Sequence, residues 1–336
     1  MKALICNEPN NLEIIDLEKP TPSKSEVLIQ VKRVGICGTD YNAVLGTQPF
    51  INYPLVLGHE VSGEVVAWGE EVKDLKEKDR VTLLPYVNCG SCHACDMGLY
   101  NCCENIQVLG VHADGGLSEY FKVDRKYLVV ENALDFNQLA IVEPLAIAAH
   151  GINRSAVKKQ DHVLIMGAGP IGLAVLGQIS GKCKSVTVVD VSEERLEACK
   201  VFLEDVLLCN PQKVDVAEFV KNNTQGAMID CVFDATGNLA ALESGFHYLA
   251  HGSRYVLIGL QKQAISFSHP EFHKREGTLM SSRNATKSEF KDVIAFLLAN
   301  PDFSKKYISN VIDMQAGEQC FERSNQVIKN IIKVSE

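Results

Sequence analysis

The stretch Gly167-Ala168-Gly169-Pro170-Ile171-Gly172 decides the fold of the second half of this chain. It fits the spacing G-x-G-x-x-G, whose glycines permit a tight turn, a close approach of the backbone to a pyrophosphate, and close packing of a helix on a strand. The apolar run 162–166 before it predicts a strand, and the sequence after it predicts a helix to about Lys182. A strand, a glycine turn and a helix in this order predict a dinucleotide-binding unit with the phosphates at the helix N-terminus.

An acidic residue follows at the distance that such a unit requires. Residues 186–190 predict the next strand, and Asp190 ends it, 18 residues after Gly172. A carboxylate there accepts hydrogen bonds from ribose hydroxyls and repels a 2′-phosphate, so NAD is favoured over NADP. Arg195 is close enough in sequence to weaken that preference. The predicted cofactor-binding residues are Gly167, Gly169, Pro170, Ile171, Gly172, Asp190 and Arg195.

The predicted secondary structure changes twice along the chain. Short strands separated by Gly and Pro, at 27–31, 61–66 and 80–84, predict a β-rich first part. From about residue 145, strands alternate with helices, which predicts a parallel sheet. Amphipathic helix and strand return after about residue 285, so the tail is expected to fold back onto the first part. The predicted domains are 1–145 with 285–336, and 146–284.

Composition excludes several classes of function. A formal charge of −9 over 336 residues argues against a nucleic-acid or anionic-membrane surface, which needs a basic face. No run approaches the roughly 20 apolar residues of a membrane span, and the first residues lack the apolar region of a signal peptide. The sequence therefore predicts a cytoplasmic protein whose twelve cysteines are reduced thiols.

Four of these cysteines form a compact motif with the spacing C-x2-C-x2-C-x7-C. Four thiolates on one short loop can surround a zinc ion tetrahedrally and leave no open position, which is typical of a structural site. Cys102 competes with the last position of the motif. An iron–sulfur cluster is the rival interpretation, but nothing else in the chain suggests electron transfer. The predicted ligands are Cys89, Cys92, Cys95 and Cys103.

Three further segments offer ligands for a second metal. Cys37 lies in Gly-Ile-Cys-Gly-Thr-Asp at the end of a predicted strand, and His59 and Glu60 are adjacent in Gly-His-Glu. Glu143 precedes a proline just before the nucleotide-binding part. Together they form a Cys/His/carboxylate set that suits zinc with one position left for water or substrate.

The order of these five motifs resembles the zinc-containing medium-chain dehydrogenases, and the resemblance covers essentially the whole chain. It implies an α/β plus β fold, in which a GroES-like catalytic domain is interrupted by a Rossmann domain, a doubly wound parallel sheet. It also implies NAD, two zinc ions per chain (one catalytic, one structural) and a homodimer or homotetramer. Glu143 stands where the liver-type alcohol dehydrogenases carry a second cysteine, as in the polyol and sugar-acid branch. Cys37 and His59 are then the firm ligands, and Glu60 and Glu143 remain alternatives for the third place.

The same resemblance implies a mechanism. The zinc would polarise the hydroxyl of a secondary alcohol, Thr39 would pass its proton on, and hydride would move to the nicotinamide. Many relatives carry a histidine three residues after Thr39, where this chain has Asn42. Asparagine does not titrate near neutral pH, so the relay must end at water or at the Glu60/Glu143 pair.

A narrower resemblance indicates the substrate. Segments such as 47–50, 108–116 and 281–286 are similar to bacterial hexonate dehydrogenases, which implies oxidation of the C5 hydroxyl of L-gulonate or L-galactonate to fructuronate or tagaturonate. Arg283 would bind the substrate carboxylate bidentately and Asn284 would read a hydroxyl. A polyol, L-idonate or L-threonine dehydrogenase is the alternative. A non-catalytic binding protein is disfavoured, because the ligand residues and glycines are all present.

Overall fold

The structure, a computed structural model, describes residues 1–322 and 326–336. It divides into two compact units, one formed by Met1–Ala146 with Asn284–Glu336 and the other by Ile147–Arg283. Each of these limits lies one residue from the corresponding predicted domain boundary. Within the described residues, every helix is too short or too polar to cross a lipid bilayer.

The described residues form β-strands, mostly short α-helices and a few 3₁₀ helices. The strands are β1 (Lys2–Glu8), β2 (Asn11–Asp16), β3 (Glu26–Gly35), β4 (Leu55–Val56), β5 (Glu60–Trp68), β6 (Arg80–Leu83), β7 (Tyr86–Val87), β8 (Gln107–Val108), β9 (Tyr120–Asp124), β10 (Leu128–Val130), β11 (His162–Met166), β12 (Ser185–Val189), β13 (Leu207–Cys209), β14 (Ile229–Asp234), β15 (Leu249–Leu257), β16 (Thr278–Ser281), β17 (Ile308–Asp313) and β18 (Lys329–Lys333). The α-helices are α1 (Gly38–Val44), α2 (His93–Asp96), α3 (Phe136–Ala140), α4 (Val142–Ser155), α5 (Pro170–Ile179), α6 (Glu193–Cys199), α7 (Val216–Asn223), α8 (Leu239–Ser244), α9 (His269–Lys274), α10 (Lys287–Ala299) and α11 (Phe303–Tyr307). Short 3₁₀ helices span Tyr100–Cys102, Arg125–Tyr127, Gly245–Tyr248 and Met314–Phe321.

The unit Ile147–Arg283 contains the predicted parallel sheet. Its strands lie in the order β13-β12-β11-β14-β15-β16, and each neighbouring pair is parallel. In chain order within the sheet this is 3-2-1-4-5-6, the doubly wound arrangement, with the crevice for a ligand at the carboxyl ends of the central strands. All five residues of β11 are buried, which explains the uninterrupted apolar run before the glycine turn.

Three details differ from the sequence-based expectation. Helix α5 ends at Ile179 rather than near Lys182, because Gly181 takes a positive φ of 73° two residues later. Asp190 follows β12 rather than ending it. The edge strand β16 was not predicted.

The other unit is β-rich and is completed by the tail. Its largest sheet has the order β10-β6-β5-β3-β18-β17, and β9 also pairs with β3. Strand β18, from the tail, pairs antiparallel with β3, with Ile331 opposite Gly35. The tail therefore folds back onto the first part of the chain, as predicted. In the antiparallel pairing of β3 with β5, Gly35 lies opposite Glu60.

Candidate active site

The four-cysteine motif forms one tight cluster of thiols. The sulfur atoms of Cys89, Cys92, Cys95 and Cys103 all lie within 4.8 Å of one another. The Cys92 sulfur is 3.5 Å from that of Cys95 and 3.9 Å from that of Cys103. Four sulfurs at a zinc–sulfur distance of about 2.3 Å in a tetrahedron stand about 3.8 Å apart. The cluster therefore fits a structural zinc ion.

Backbone and side-chain donors near the cluster favour a thiolate at Cys89, whereas at Cys103 the Cys89 amide lowers the pKa but burial and the neighbouring cysteines raise it to about 11. The amide of Cys89 donates to the Cys103 sulfur at 3.2 Å. Hydrogen bonds from the backbone and hydroxyl of Ser91 lower the pKa of Cys89 to about 6. Cys102, the competing candidate, is exposed and lies outside the cluster, whereas Cys103 is buried. The structure thus brings together the four predicted ligands.

Cys37 is held at the start of helix α1. Strand β3 ends at Gly35, and Cys37 is the N-cap residue of α1. The Cys37 thiol accepts a hydrogen bond from the Thr39 amide at 3.5 Å, and the Asp40 carboxylate accepts one from the Cys37 amide at 2.8 Å. This reciprocal capping box explains why Cys-Gly-Thr-Asp follows a strand, because the same residues begin the helix and fix the thiol.

His59 reaches Cys37 through the register of β3 and β5. Gly35 lies opposite Glu60 in this antiparallel pair, so Cys37 and His59, just beyond them, meet at the same end. Ligand atoms of Cys37, His59 and Glu60 lie within 4.8 Å of one another. His59 Nδ1 is buried, lies 3.6 Å from Asp40 Oδ1, and has no hydrogen-bond partner among the described residues. A carboxylate at one ring nitrogen orients a metal-binding histidine and leaves the other nitrogen for the ion.

Glu60 is paired with a lysine that the sequence did not reveal. Lys329 Nζ, from β18, lies 2.7 Å from each oxygen of Glu60 and 3.0 Å from the Ile36 carbonyl. Burial disfavours the ammonium group, but the Glu60 carboxylate raises the pKa of Lys329 above its ordinary value. Gly35 makes room for the pair, since a Cβ at that position would lie 2.0 Å from Glu60 Oε2.

Glu143 lies in the first turn of α4, where the helix dipole favours a negative charge. The Tyr86 hydroxyl donates a hydrogen bond to Glu143 Oε1, and both side chains are buried. Burial raises the pKa of Glu143 to about 7, an effect that His59 opposes. Glu143 therefore acts on His59 but is not one of the three residues whose ligand atoms converge.

The charges of this centre suit a divalent cation. Asp40, Glu60 and Glu143 place three carboxylates in buried positions, and Lys329 places one ammonium there. Because the pKa of Glu143 is about 7, between one and two negative charges remain among these four groups near neutral pH, before the Cys37 thiol and the His59 ring are considered. Unbalanced buried charge is costly, and zinc accepts sulfur, nitrogen and oxygen ligands. The donor set and its charge thus fit a catalytic zinc ion.

The glycine turn fits a phosphate group at the start of α5. Gly169 is the N-cap residue of α5, and Pro170 is its first residue. A Cβ added at Gly169 would meet no atom within 4 Å, so the space over the helix start is open. At Gly172 a Cβ would lie 1.8 Å from the Gly167 carbonyl oxygen, so the turn needs glycine there. The helix N-terminus is therefore accessible to an anion.

Asp190 ties this turn to the end of β12. Its two carboxylate oxygens accept hydrogen bonds from the amides of Ala168 at 2.7 Å and Ser192 at 2.9 Å. Each oxygen keeps a second lone pair, so the carboxylate can still accept from a ribose hydroxyl. Arg195 lies half-buried in α6, with its backbone N–H donating to the Ser192 hydroxyl.

The remaining predicted residues have mixed environments. Thr39 is half-buried in α1, and Arg283 is exposed. Asn284 has a positive φ of 57°, and its side-chain amide donates to the Asn101 carbonyl at 3.2 Å. One donor of Asn284 is therefore already committed to the backbone of the Tyr100–Cys102 turn, which leaves its carbonyl oxygen and second N–H for a ligand.

Sequence reasoning missed four residues of the centre: Gly35, Asp40, Tyr86 and Lys329. The capping-box spacing of Cys37 and Asp40 is a local signal that could have identified Asp40. Tyr86 and Lys329 reach the site from segments far away in sequence, so no spacing rule pointed to them.

Two domain families match the chain in succession. The alcohol dehydrogenase GroES-like domain matches residues 23–132, and zinc-binding dehydrogenase matches residues 170–299. L-galactonate-5-dehydrogenase of Escherichia coli K12 is 43% identical over 293 residues, which cover 87% of this chain and 86% of that protein. Sorbitol dehydrogenase of Bacillus subtilis 168 is 30% identical over 342 residues, covering 99% of this chain and 96% of that protein.

A solved structure gives the same result for the whole chain. The crystal structure of RspB from E. coli CFT073, complexed with the cofactor NADH, matches with a TM-score of 0.92 and 32% identity and covers 99% of both chains. The predicted fold class and the predicted zinc-dependent dehydrogenase class are thereby confirmed. The chain belongs to the zinc-type medium-chain alcohol dehydrogenases, oxidoreductases with a GroES-like domain and a Rossmann-like zinc-binding dehydrogenase domain.

Proposed function

We propose that this enzyme oxidises the C5 hydroxyl of an L-hexonate, L-gulonate or L-galactonate, with NAD, giving fructuronate or tagaturonate. The 43% identity to L-galactonate-5-dehydrogenase, over most of both proteins, is the observation that carries the substrate class. The buried set of Cys37, His59 and Glu60 supports the reaction type, because it fits a zinc site with a place left for the substrate.

The catalytic centre divides its work among named side chains. Cys37, His59 and Glu60 are the proposed ligands, and Glu143 stays close to them without joining the set. Zinc bound there supplies a Lewis acid, which makes loss of the alcohol proton feasible near neutral pH. Thr39, whose amide is fixed at the Cys37 sulfur, accepts the hydrogen bond of the substrate hydroxyl and passes its proton on. The exposed side chain of Asn42 does not titrate, so the proton passes to solvent or to the Glu60/Glu143 pair.

The cofactor is NAD, held by the glycine turn and by Asp190. The amides at the start of α5, around Gly169, Pro170 and Ile171, bind the pyrophosphate. The Asp190 carboxylate accepts from the ribose hydroxyls and disfavours a 2′-phosphate, and Arg195 completes the adenosine end. The NADH bound to the 32% identical RspB supports this choice.

The substrate carboxylate is assigned to Arg283, because a guanidinium binds a carboxylate bidentately. The Asn284 side-chain oxygen, which its bond to Asn101 leaves available, accepts from a substrate hydroxyl. The substrate is thus a small polyhydroxylated acid. A polyol is the second candidate, favoured by the 30% identity to sorbitol dehydrogenase over nearly the whole chain.

The test is NADH formation by zinc-loaded protein with L-gulonate, L-galactonate, L-idonate, sorbitol and L-threonine, repeated after chelation and after zinc is restored. We expect zinc-dependent turnover of one L-hexonate. In Arg283→Lys we expect a rise of the KM for that hexonate alone, because lysine keeps the positive charge but cannot bind a carboxylate bidentately. Turnover of sorbitol or L-threonine alone would contradict the hexonate proposal and leave the zinc–NAD chemistry standing. Equal KM changes for sorbitol and the hexonate would remove Arg283 as the carboxylate partner.

We also propose that the enzyme is a cytoplasmic homodimer or homotetramer. All twelve cysteines are free thiols, which agrees with a reducing compartment. The oligomer is an expectation from the family resemblance, and sedimentation velocity of the zinc-loaded protein tests it. A single monomeric species at micromolar concentration would contradict it.

A further inference from the structure

We propose that Tyr86 is a positioning residue that holds the Glu143 carboxylate outside the ligand set of the catalytic metal. Its hydroxyl keeps Glu143 available as a hydrogen-bond acceptor and leaves one coordination position open. The inference rests on the metal site of the proposed function but not on the choice of substrate.

The starting observation is that two buried carboxylates lie near Cys37 and His59 but have different anchors. Glu60 is held by Lys329, an ammonium 2.7 Å from both of its oxygens, and still places a ligand atom within 4.8 Å of those of Cys37 and His59. Glu143 is held by the neutral hydroxyl of Tyr86 at its Oε1 atom and does not converge with the other three. The two acids are of one type but stand on different elements, β5 and α4, and each carboxylate has its own anchor.

Tyr86 is well placed to act as a fixed anchor. It is 5% exposed and belongs to β7, which pairs with β8 with Tyr86 opposite Val108. The Leu109 amide donates to the Pro85 carbonyl at 3.0 Å, which extends that pairing by one more bond. Three residues after Tyr86 comes Cys89, the first thiol of the four-cysteine cluster. A metal in that cluster would fix the chain that carries Tyr86, so the structural site supports the geometry of the catalytic one.

The consequence for the metal follows from the cost of an unsatisfied buried group. Without the phenol, Glu143 Oε1 would lose its hydrogen bond in a buried position. A zinc ion bound by Cys37, His59 and Glu60 could interact with the carboxylate oxygen that has lost its hydrogen bond. Glu143 would then become a fourth protein ligand of that zinc. Four protein ligands close a zinc site, whereas a catalytic site has three and an open position.

The test reads metal coordination rather than turnover. Zinc is kept in the four-cysteine cluster and cobalt is exchanged into the Cys37 site, with one atom of each per chain confirmed by metal analysis. The visible absorption of cobalt(II) depends on the number and type of its ligands. We expect the band positions and intensities to shift in Tyr86→Phe, to stay unchanged in Glu143→Ala, and to return to those of the unmodified protein in the double variant.

The matched control is Tyr255→Phe, which removes another buried hydroxyl, bonded to the Leu242 carbonyl at 2.7 Å. It is expected to leave the spectrum unchanged. An unshifted spectrum in Tyr86→Phe, a shift in Glu143→Ala, or a shift that persists in the double variant would each overturn the proposal. Should Tyr86→Phe fail to fold, Glu143→Ala alone still decides whether Glu143 is a ligand. Absence of cobalt binding at Cys37 would remove the proposed metal site as well, whereas inactivity on hexonates alone would leave the cobalt result intact.

Discussion

The two candidate metal sites of this enzyme lie in the same structural unit and are built in opposite ways. Among the described residues, the four-cysteine cluster takes identical ligands from one short segment, Cys89 to Cys103. The catalytic centre takes different side chains from the start of α1, from β5 and from α4, and pairs one of them with Lys329 of β18. A site that only has to hold a metal can be local and chemically uniform. A site that performs chemistry needs mixed ligands and an open position, so it draws on several elements.

The two sites also handle charge differently. The cluster places hydrogen-bond donors at its sulfur atoms, such as the Cys89 amide at the Cys103 sulfur. The centre instead buries three carboxylates, of which Lys329 and Tyr86 each hold one in place. The metal of the cluster is therefore expected to govern stability, and the metal of the centre to govern turnover.

The largest effect should come from removing one ligand at each site. Cys37→Ser keeps a side chain that can cap α1, so the fold should persist while kcat falls by about 1000-fold, because the Lewis acid contributes several kcal/mol. Cys103→Ser should instead release the structural zinc and lower the melting temperature. Steady-state kinetics, metal analysis and thermal unfolding of both variants measure the contrast.

Cys102→Ser is the matched control for the cluster, because Cys102 is exposed next to the buried Cys103. It should retain both metals and the original melting temperature. A Cys102→Ser variant that loses zinc, or a Cys37→Ser variant that loses stability as much as Cys103→Ser, would break the division of roles between the two sites.

A smaller effect is expected from the ion pair under the catalytic centre. Lys329→Met leaves the fully buried Glu60 carboxylate without its cation, so the free energy of unfolding of the metal-free protein should fall by about 3–5 kcal/mol. Zinc should restore part of that loss, because Glu60 then faces a metal. Urea denaturation with and without zinc checks both statements.

Lys333→Met, in the same strand, serves as the comparison. Lys333 pairs with the exposed Glu336, so its loss should change the free energy of unfolding by no more than about 0.5 kcal/mol. Equal losses in the two variants would show that the Glu60–Lys329 pair has no special place in the centre.

The smallest effect is predicted at Asn42, where the family resemblance implies a histidine. Asn42→His should change kcat/KM by no more than about twofold, since the Asn42 side chain is exposed. Asn42 contributes to the fold through its backbone carbonyl, which accepts hydrogen bonds from the amides of Thr47 at 2.8 Å and Gln48 at 3.1 Å. A pH profile of kcat/KM checks this, and a large loss or a new ionisation in the profile would show that the side chain at this position takes part in proton transfer.

Sequence reasoning identified the strands and turns whose signals are local. Strand β11 and the glycine turn lie where the pattern predicted them, because a buried parallel strand is uniformly apolar and the glycine spacing marks the turn into α5. The edge strand β16 escaped, since its four residues are half-buried or exposed and show no apolar pattern. The predicted end of helix α5 was too late, because the hydrophobic pattern does not reveal that Gly181 takes a positive φ.

The sequence by itself determined the dinucleotide turn, the four-thiol motif and the list of candidate catalytic ligands. In each of the first two, the interacting atoms lie within about fifteen residues of one another, so the spacing in sequence already encodes the geometry. Only the tertiary structure decided that Glu60 converges with Cys37 and His59 while Glu143 is held by Tyr86, and that Lys329 completes the centre. The reason is physical: these contacts depend on the register of β3 with β5 and β18, and on side chains that meet across long loops, which no local spacing specifies.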